Sequence, residues 1–165
     1  MKGIAKSNKV SDKSIITNEF GNINYCDTYR ITKRTDDIVD HITTQIFNVP
    51  KWVSRLMKIR NSIVKIFGLK VGKHDEIEEA SYYSIGSKAI YFTVTNRNTD
   101  EIVMGEYDKH LQFRASVLAD REQGYIYLTT IVKFHNIWGK LYFLPVKPFH
   151  RLIIQSLLKR YDKRF

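Results

Sequence analysis

Four groups of residues in this chain have types and spacings that could do chemistry. Asp108-Lys109-His110 sets a carboxylate two residues before an imidazole. On a strand such residues share a face, so Asp108 could orient His110 as a general base. The string also falls where a hairpin corner is expected, and Asp is a common turn former, which explains it without catalysis. The second group is Arg60 with Asn61. Trp52, Leu56, Ile59, Ile63 and Phe67 recur at helical spacing, and Arg60 falls on their apolar face, four after Leu56 and three before Ile63. A guanidinium there must pair with a buried carboxylate (Asp27, Glu106 or Asp108), meet a polar or anionic ligand in a cavity, or snorkel to water.

The third group is His150 and Arg151. They follow Pro148 at the expected start of a helix, where a cation opposes the helix dipole. A partner such as Asp27 or the sheet edge would account for them structurally. Fourth, His110, Gln112, Arg114 and Ser116 alternate with Leu111, Phe113, Ala115 and Val117. That polar strand face is either solvated or the lining of a wet cavity.

Other chemistries find no support. The histidines at 41, 74, 110, 135 and 150 have no paired metal-ligand spacing, and one cysteine cannot build a zinc knuckle. Gly68 to Lys73 departs from a phosphate-binding loop in glycine spacing and lacks the following Ser/Thr. No Gly-x-Ser-x-Gly elbow occurs. Cys26 has no local activator and reads as buried and inert. No cofactor and no metal is expected.

With 165 residues the chain suits one domain with a core of its own. The lone cysteine rules out an internal disulfide framework and fits a reducing compartment, so a cytoplasmic protein is expected. No apolar stretch approaches the roughly 18 residues needed to span a bilayer, and the N-terminus does not read as a secretory signal. The 27 Lys+Arg against 17 Asp+Glu give +10. This charge favours encounter with anionic surfaces, including anionic lipid, but forms no run that specifies nucleic acid.

The elements that must position these residues read as follows. Residues 1–20 are polar and basic and are expected to form a flexible or loosely docked arm before a single domain over 21–165. A strand covers 24–34, and two helices follow, one from Asp36-Asp37 to about Phe47 and one from Pro50 to Gly68. After a polar connection over 72–79, strands are expected at 89–95, 101–106, 110–119 and 125–136, joined as an antiparallel meander. Gly139 to Pro148 reads as a connector. Pro148 then opens a final helix in which Phe149, Leu152, Ile153, Ser156 and Leu157 face the sheet.

The order strand, two helices, antiparallel strands and C-terminal helix resembles the helix-grip fold of START lipid-transfer domains and polyketide cyclases. Within that superfamily the chain more closely resembles an uncharacterised bacterial family. The resemblance rests on Pro50-Lys51-Trp52-Val53, Leu56 to Asn61, Gly105 to Leu111, Thr129 to Val132 and Pro148-Phe149-His150-Arg151. It implies an α+β fold: a curved antiparallel sheet with two short helices after the first strand and a long C-terminal helix packed on it. It also implies a space between sheet and helix for a small apolar or amphipathic molecule, a reading that no ligand occupancy together with no pocket above about 300 Å³ would sink. Arg60, Asn61, Arg114, Thr130 and His150 are the expected ligand-binding residues. A cyclase or dehydratase using His110 and Asp108, and a basic adaptor for a partner protein or polyanion, are the alternatives.

Overall fold

The computed structural model describes residues 3–66 and 81–164; the side chains of Arg60, Ile63 and Val64 lie outside the described residues, as do Phe67, Gly68 and the connection at 72–79. Seven strands form one antiparallel sheet: β1 (Ala5–Ser7), β2 (Tyr25–Thr32), β3 (Lys88–Ala89), β4 (Phe92–Arg97), β5 (Glu101–Tyr107), β6 (Leu111–Asp120) and β7 (Tyr125–Phe134). Their spatial order is β1-β2-β7-β6-β5-β4-β3. The long central strands form by period-two alternation: Leu111, Phe113, Ala115 and Val117 share one face of β6, and Ile126, Leu128, Thr130 and Val132 the matching face of β7. Two helices, α1 (Val39–Phe47) and α2 (Lys51–Ile66), follow β2, and α3 (Ile137–Arg164) closes the chain.

Four expectations need correction. The two short helices follow the second strand, because Ala5–Ser7 pairs with Thr28–Arg30 and becomes the first. The strand expected at 89–95 is split into the β3–β4 hairpin, since Ile90 takes a left-handed φ of 65° and turns the chain there. The final helix begins at Ile137, eleven residues before Pro148, with Pro145 and Pro148 inside it. Each proline leaves an i−4 carbonyl unbonded, those of Leu141 and Leu144. Both leucines lie on the exposed side of the helix, where water is at hand for those carbonyls. Phe149 and Leu152, expected to face the sheet, are more than half exposed; the buried stripe is Ile154, Leu157, Leu158 and Tyr161.

Helix α2 is likewise turned from its expected orientation. Val53 and Asn61 are buried, while Trp52 and Ile59 are exposed. The helix is apolar over more than one face, so its period alone could not choose which stripe packs inward.

Each face of the sheet has its own cover. On the inner face, Tyr29, Ile31, Met104, Val117 and Leu128 pack with α1 and the C-terminal half of α3. A smaller core joins Leu111 and Val132 to Tyr142 and Phe143 of the N-terminal half of α3. On the outer face, Ile16 and Phe20 pack against Val103 and Ile131. The segment before β2 is fixed there by polar contacts as well. Ser14 Oγ and the Ile15 N–H both donate to the buried Glu101 carboxylate, at 2.5 and 2.7 Å.

One buried ion pair ties α1 to the far side of the sheet. Arg97 donates to both carboxylate oxygens of Asp40, at 2.8 and 3.0 Å, and the Tyr83 N–H donates to Asp40 Oδ1 at 2.6 Å. Burial alone would raise the Asp40 pKa, but the Arg97 and Tyr83 donors outweigh it and hold the carboxyl below its usual range. Asp40→Ala leaves a buried guanidinium without its partner and is expected to cost about 3–5 kcal/mol. Because the folded pKa lies below the unfolded one, the carboxylate's contribution is complete above about pH 3.9 and disappears as pH falls through the lowered value. Urea titration of wild type and Asp40→Ala at pH 7 checks the cost, and the gap between wild type and Asp40→Asn should be narrower at pH 3 than at pH 7.

Candidate functional site

The site is built where the inner face of the sheet runs short of bulk. Ala115 of β6 and Thr130 of β7 are cross-strand partners, and Asp27 of β2 lies beside Thr130 on its other side. Across this row the inner face passes from the larger core to the smaller one. The small side chains at 115 and 130 leave a cavity of about 200 Å³ under α3. Its walls are mainly apolar, including Phe92, Phe113, Phe143, Val146 and Ile153, and α2 contributes Leu56 and Met57. Thr130 and His150 are polar residues in that lining, from the sheet and from α3.

Behind them lies a polar cluster. Asp27 is 1% exposed, accepts from Tyr25 Oη at 2.5 Å, and lies 3.4 Å from His150 Nε2. Arg151 Nε reaches Tyr25 Oη at 3.4 Å, and the Lys147 ammonium sits 5.1 Å from the Tyr25 ring centroid. Burial would raise the Asp27 pKa, but the His150 and Tyr25 contacts overcome it and keep the carboxyl below its usual range. Burial, reinforced by Asp27, pushes the Tyr25 hydroxyl up. Asp27 is therefore an anion with aligned donors, and it fixes the imidazole at the cavity wall. The pair is a charged bridge only while His150 is protonated.

The expected site residues do not all meet here. Thr130 and His150 do. Asn61 is buried on α2, outside the cavity lining. Arg60 lies on the same helix, and the expectation for its guanidinium falls outside the described residues. Arg114 is on the opposite face of the sheet. Its Nη1 donates to the carbonyls of Ile16 and Asn18 at 3.0 and 2.5 Å, and the guanidinium lies 5.2 Å from the Phe20 ring centroid. At Arg114 the polar face of β6 thus meets the N-terminal segment, neither open solvent nor the cavity.

His110 and Asp108 occupy the β5–β6 corner and do not line the cavity. His110 Nδ1 lies 3.0 Å from the Asn136 amide, and Asp108 Oδ1 accepts from the Lys109 N–H at 2.6 Å, as a turn residue does. Gly139, at the start of α3, packs so closely on the His110 carbonyl that a Cβ there would collide with it. The corner therefore seats the helix. Among the described residues no cluster of His, Cys, Asp or Glu could hold a metal ion. Cys26 is partly buried and burial raises its thiol pKa, which fits an unreactive side chain.

Sequence reasoning missed Tyr142, Phe143 and Val146 as cavity walls, because 139–148 reads as a connector when its two prolines are taken as breaks. The usable signal was an apolar period of 142, 143, 146, 149 and 153 that runs through both prolines.

The family described as Protein of unknown function (DUF2867) matches residues 20–157. The chain belongs to this family. The match spans β2 to most of α3, so it takes in the whole sheet apart from β1, and every residue of the cavity and its polar cluster. No curated protein and no solved structure matches the chain. For this DUF2867 member the site geometry is the ground for a functional reading.

Removing the anion tests whether the cluster holds together as described. Asp27→Ala strands the Tyr25 hydroxyl and the imidazole, and should destabilise the fold by about 1–3 kcal/mol. Asp27→Asn keeps an acceptor and should cost less. Urea midpoints of the two variants give the comparison.

Proposed function

We propose that this DUF2867 protein is a helix-grip domain whose cavity binds a small, mainly apolar molecule with one polar group. The reading rests on one observation: a cavity of about 200 Å³ between sheet and α3 with mainly apolar walls, into whose lining Thr130 and the Asp27-oriented His150 bring polar side chains. Apolar burial would drive binding and the polar side chains would set orientation. The arrangement of two helices after the long edge-proximal strand, then a meander, then a helix across the sheet supports the helix-grip assignment.

The volume narrows the ligand class. It falls below the roughly 300 Å³ of a typical drug-sized site and is closer to an engineered apolar cavity of about 150 Å³ that takes benzene. A single ring or short acyl chain suits it, and a whole lipid does not. His150 and Thr130 suit a hydroxyl, carbonyl or carboxylate at the ligand's end.

The test uses p-cresol and hexanoate as probes, with toluene as the apolar control. Methyl resonances of Ala115, Thr130 and Ile153 are expected to shift saturably with p-cresol or hexanoate. Ala115→Leu fills the space and should abolish the shifts while the circular dichroism spectrum is kept. His150→Ala should weaken p-cresol roughly tenfold, about 1.4 kcal/mol, with little effect on toluene. Absence of saturable shifts at those methyls with all three probes overturns the reading. So would binding that Ala115→Leu leaves unchanged.

A further inference from the structure

The outside of α3 carries an exposed apolar stripe, of which Phe149 also reaches the cavity wall. Ile137, Trp138, Leu141, Leu144, Phe149 and Leu152 are each at least 47% exposed. Positions 137, 141, 144, 148 and 152 are spaced four, three, four and four, so with Pro148 they line one side of the helix for about 22 Å. Helix α2 extends the patch with exposed Trp52, Ile59 and Ile66. Trp52, Arg55, Leu56, Pro148, Phe149 and Leu152 enclose a groove between the two helices. Single exposed hydrophobics need no explanation, but a continuous patch of this extent marks an interaction surface.

Charge identifies the occupant. Helices α2 and α3 together contain twelve Lys/Arg and one acidic residue, Asp162, so they carry the excess positive charge of the whole chain. Lys51, Arg55, Lys58, Lys65 and Lys140 are exposed along the flanks of the apolar patch. A second copy of the chain would bring the same charge to the contact and repel it. Nucleic acid would meet the lysines but leave Leu144, Leu152 and Ile66 without a suitable partner. Exposed Trp, Leu and Ile bordered by Lys and Arg match the boundary between acyl chains and anionic headgroups. No helix among the described residues is long and apolar enough to cross a membrane, so the contact would be peripheral.

We propose that the α2–α3 face docks on anionic lipid membranes, with the apolar stripe entering the headgroup boundary and the flanking basic residues on the lipid phosphates. The inference does not depend on what the cavity binds. Both tryptophans of the chain, Trp52 and Trp138, lie on this face, so intrinsic fluorescence reads it directly.

The test mixes the full-length protein with vesicles of phosphatidylcholine alone or with about 30 mol% phosphatidylserine, which gives the surface a negative potential. Flotation with the anionic vesicles, a blue shift of tryptophan emission and quenching by brominated acyl chains are expected. Binding should weaken at least tenfold between 50 and about 300 mM salt. Leu141→Glu/Leu144→Glu should lose binding at least tenfold while retaining its melting temperature, since both side chains are exposed. Failure to float with anionic vesicles overturns the proposal, as does flotation without a blue shift, which would be electrostatic adsorption alone. Salt-dependent binding to single-stranded RNA that outcompetes the vesicles would also overturn it. A wild-type dimer in sedimentation equilibrium that Leu141→Glu/Leu144→Glu abolishes would assign the face to a second copy instead.

Discussion

Asp40 and Arg97 lie 57 residues apart in the chain and meet through two hydrogen bonds in a buried setting. Much of the inner layer hangs on that contact. Asp40 stands in the first turn of α1, Arg97 ends β4, and Tyr83 is drawn in by its own N–H to Asp40 and by its hydroxyl, 2.7 Å from Thr44 Oγ1. The Tyr82 ring covers the guanidinium, 3.8 Å from its carbon. Orienting α1 this way brings Phe47 and Val49 to the cavity wall and sets where α2 starts. An ion pair so placed contributes little net stability over a hydrophobic pair, yet its geometry admits few alternatives. Its role is to fix position.

Around that anchor, α3 serves two cores at once. Its C-terminal half fills the larger core with Ile154, Leu157, Leu158 and Tyr161, and its N-terminal half closes the smaller one with Tyr142 and Phe143. The cavity is the seam between them. A helix with apolar residues inward and outward has no dominant amphipathic direction. The side that meets the sheet is therefore selected by its neighbours: Gly139 against the His110 carbonyl at one end, and His150 toward Asp27 in the middle.

The sequence showed the meander clearly, because turn signals separate its strands and the alternation in β6 favours one register. It also put Asp27 forward as a partner for His150, which is where the imidazole points. Helix orientation was harder to read. In α2 the apolar residues cover more than half the circumference, so an inward Trp52–Ile59 stripe and an inward Val53–Asn61 stripe are nearly equivalent by period. The position of Arg60 on an apolar face was argued from the first of these, whereas Trp52 and Ile59 are exposed. Prolines misled in α3, since their cost falls when the freed carbonyls face outward. Arg114 was misplaced for another reason: a polar strand face can be covered by a distant segment, and local spacing carries no trace of residues 14–20.

The strand order places the two shortest strands, β1 with three residues and β3 with two, at the two edges of the sheet. Long edges are templates on which a second chain can add strands, and such short ones offer few unpaired N–H and C=O groups in a row. On one side the protection comes entirely from the N-terminal segment, because β2 behind it is eight residues long. Without β1, the β2 edge would present its row of N–H and C=O groups to another chain. The arm thereby acts as a guard against self-templating as well as a cover for the outer face.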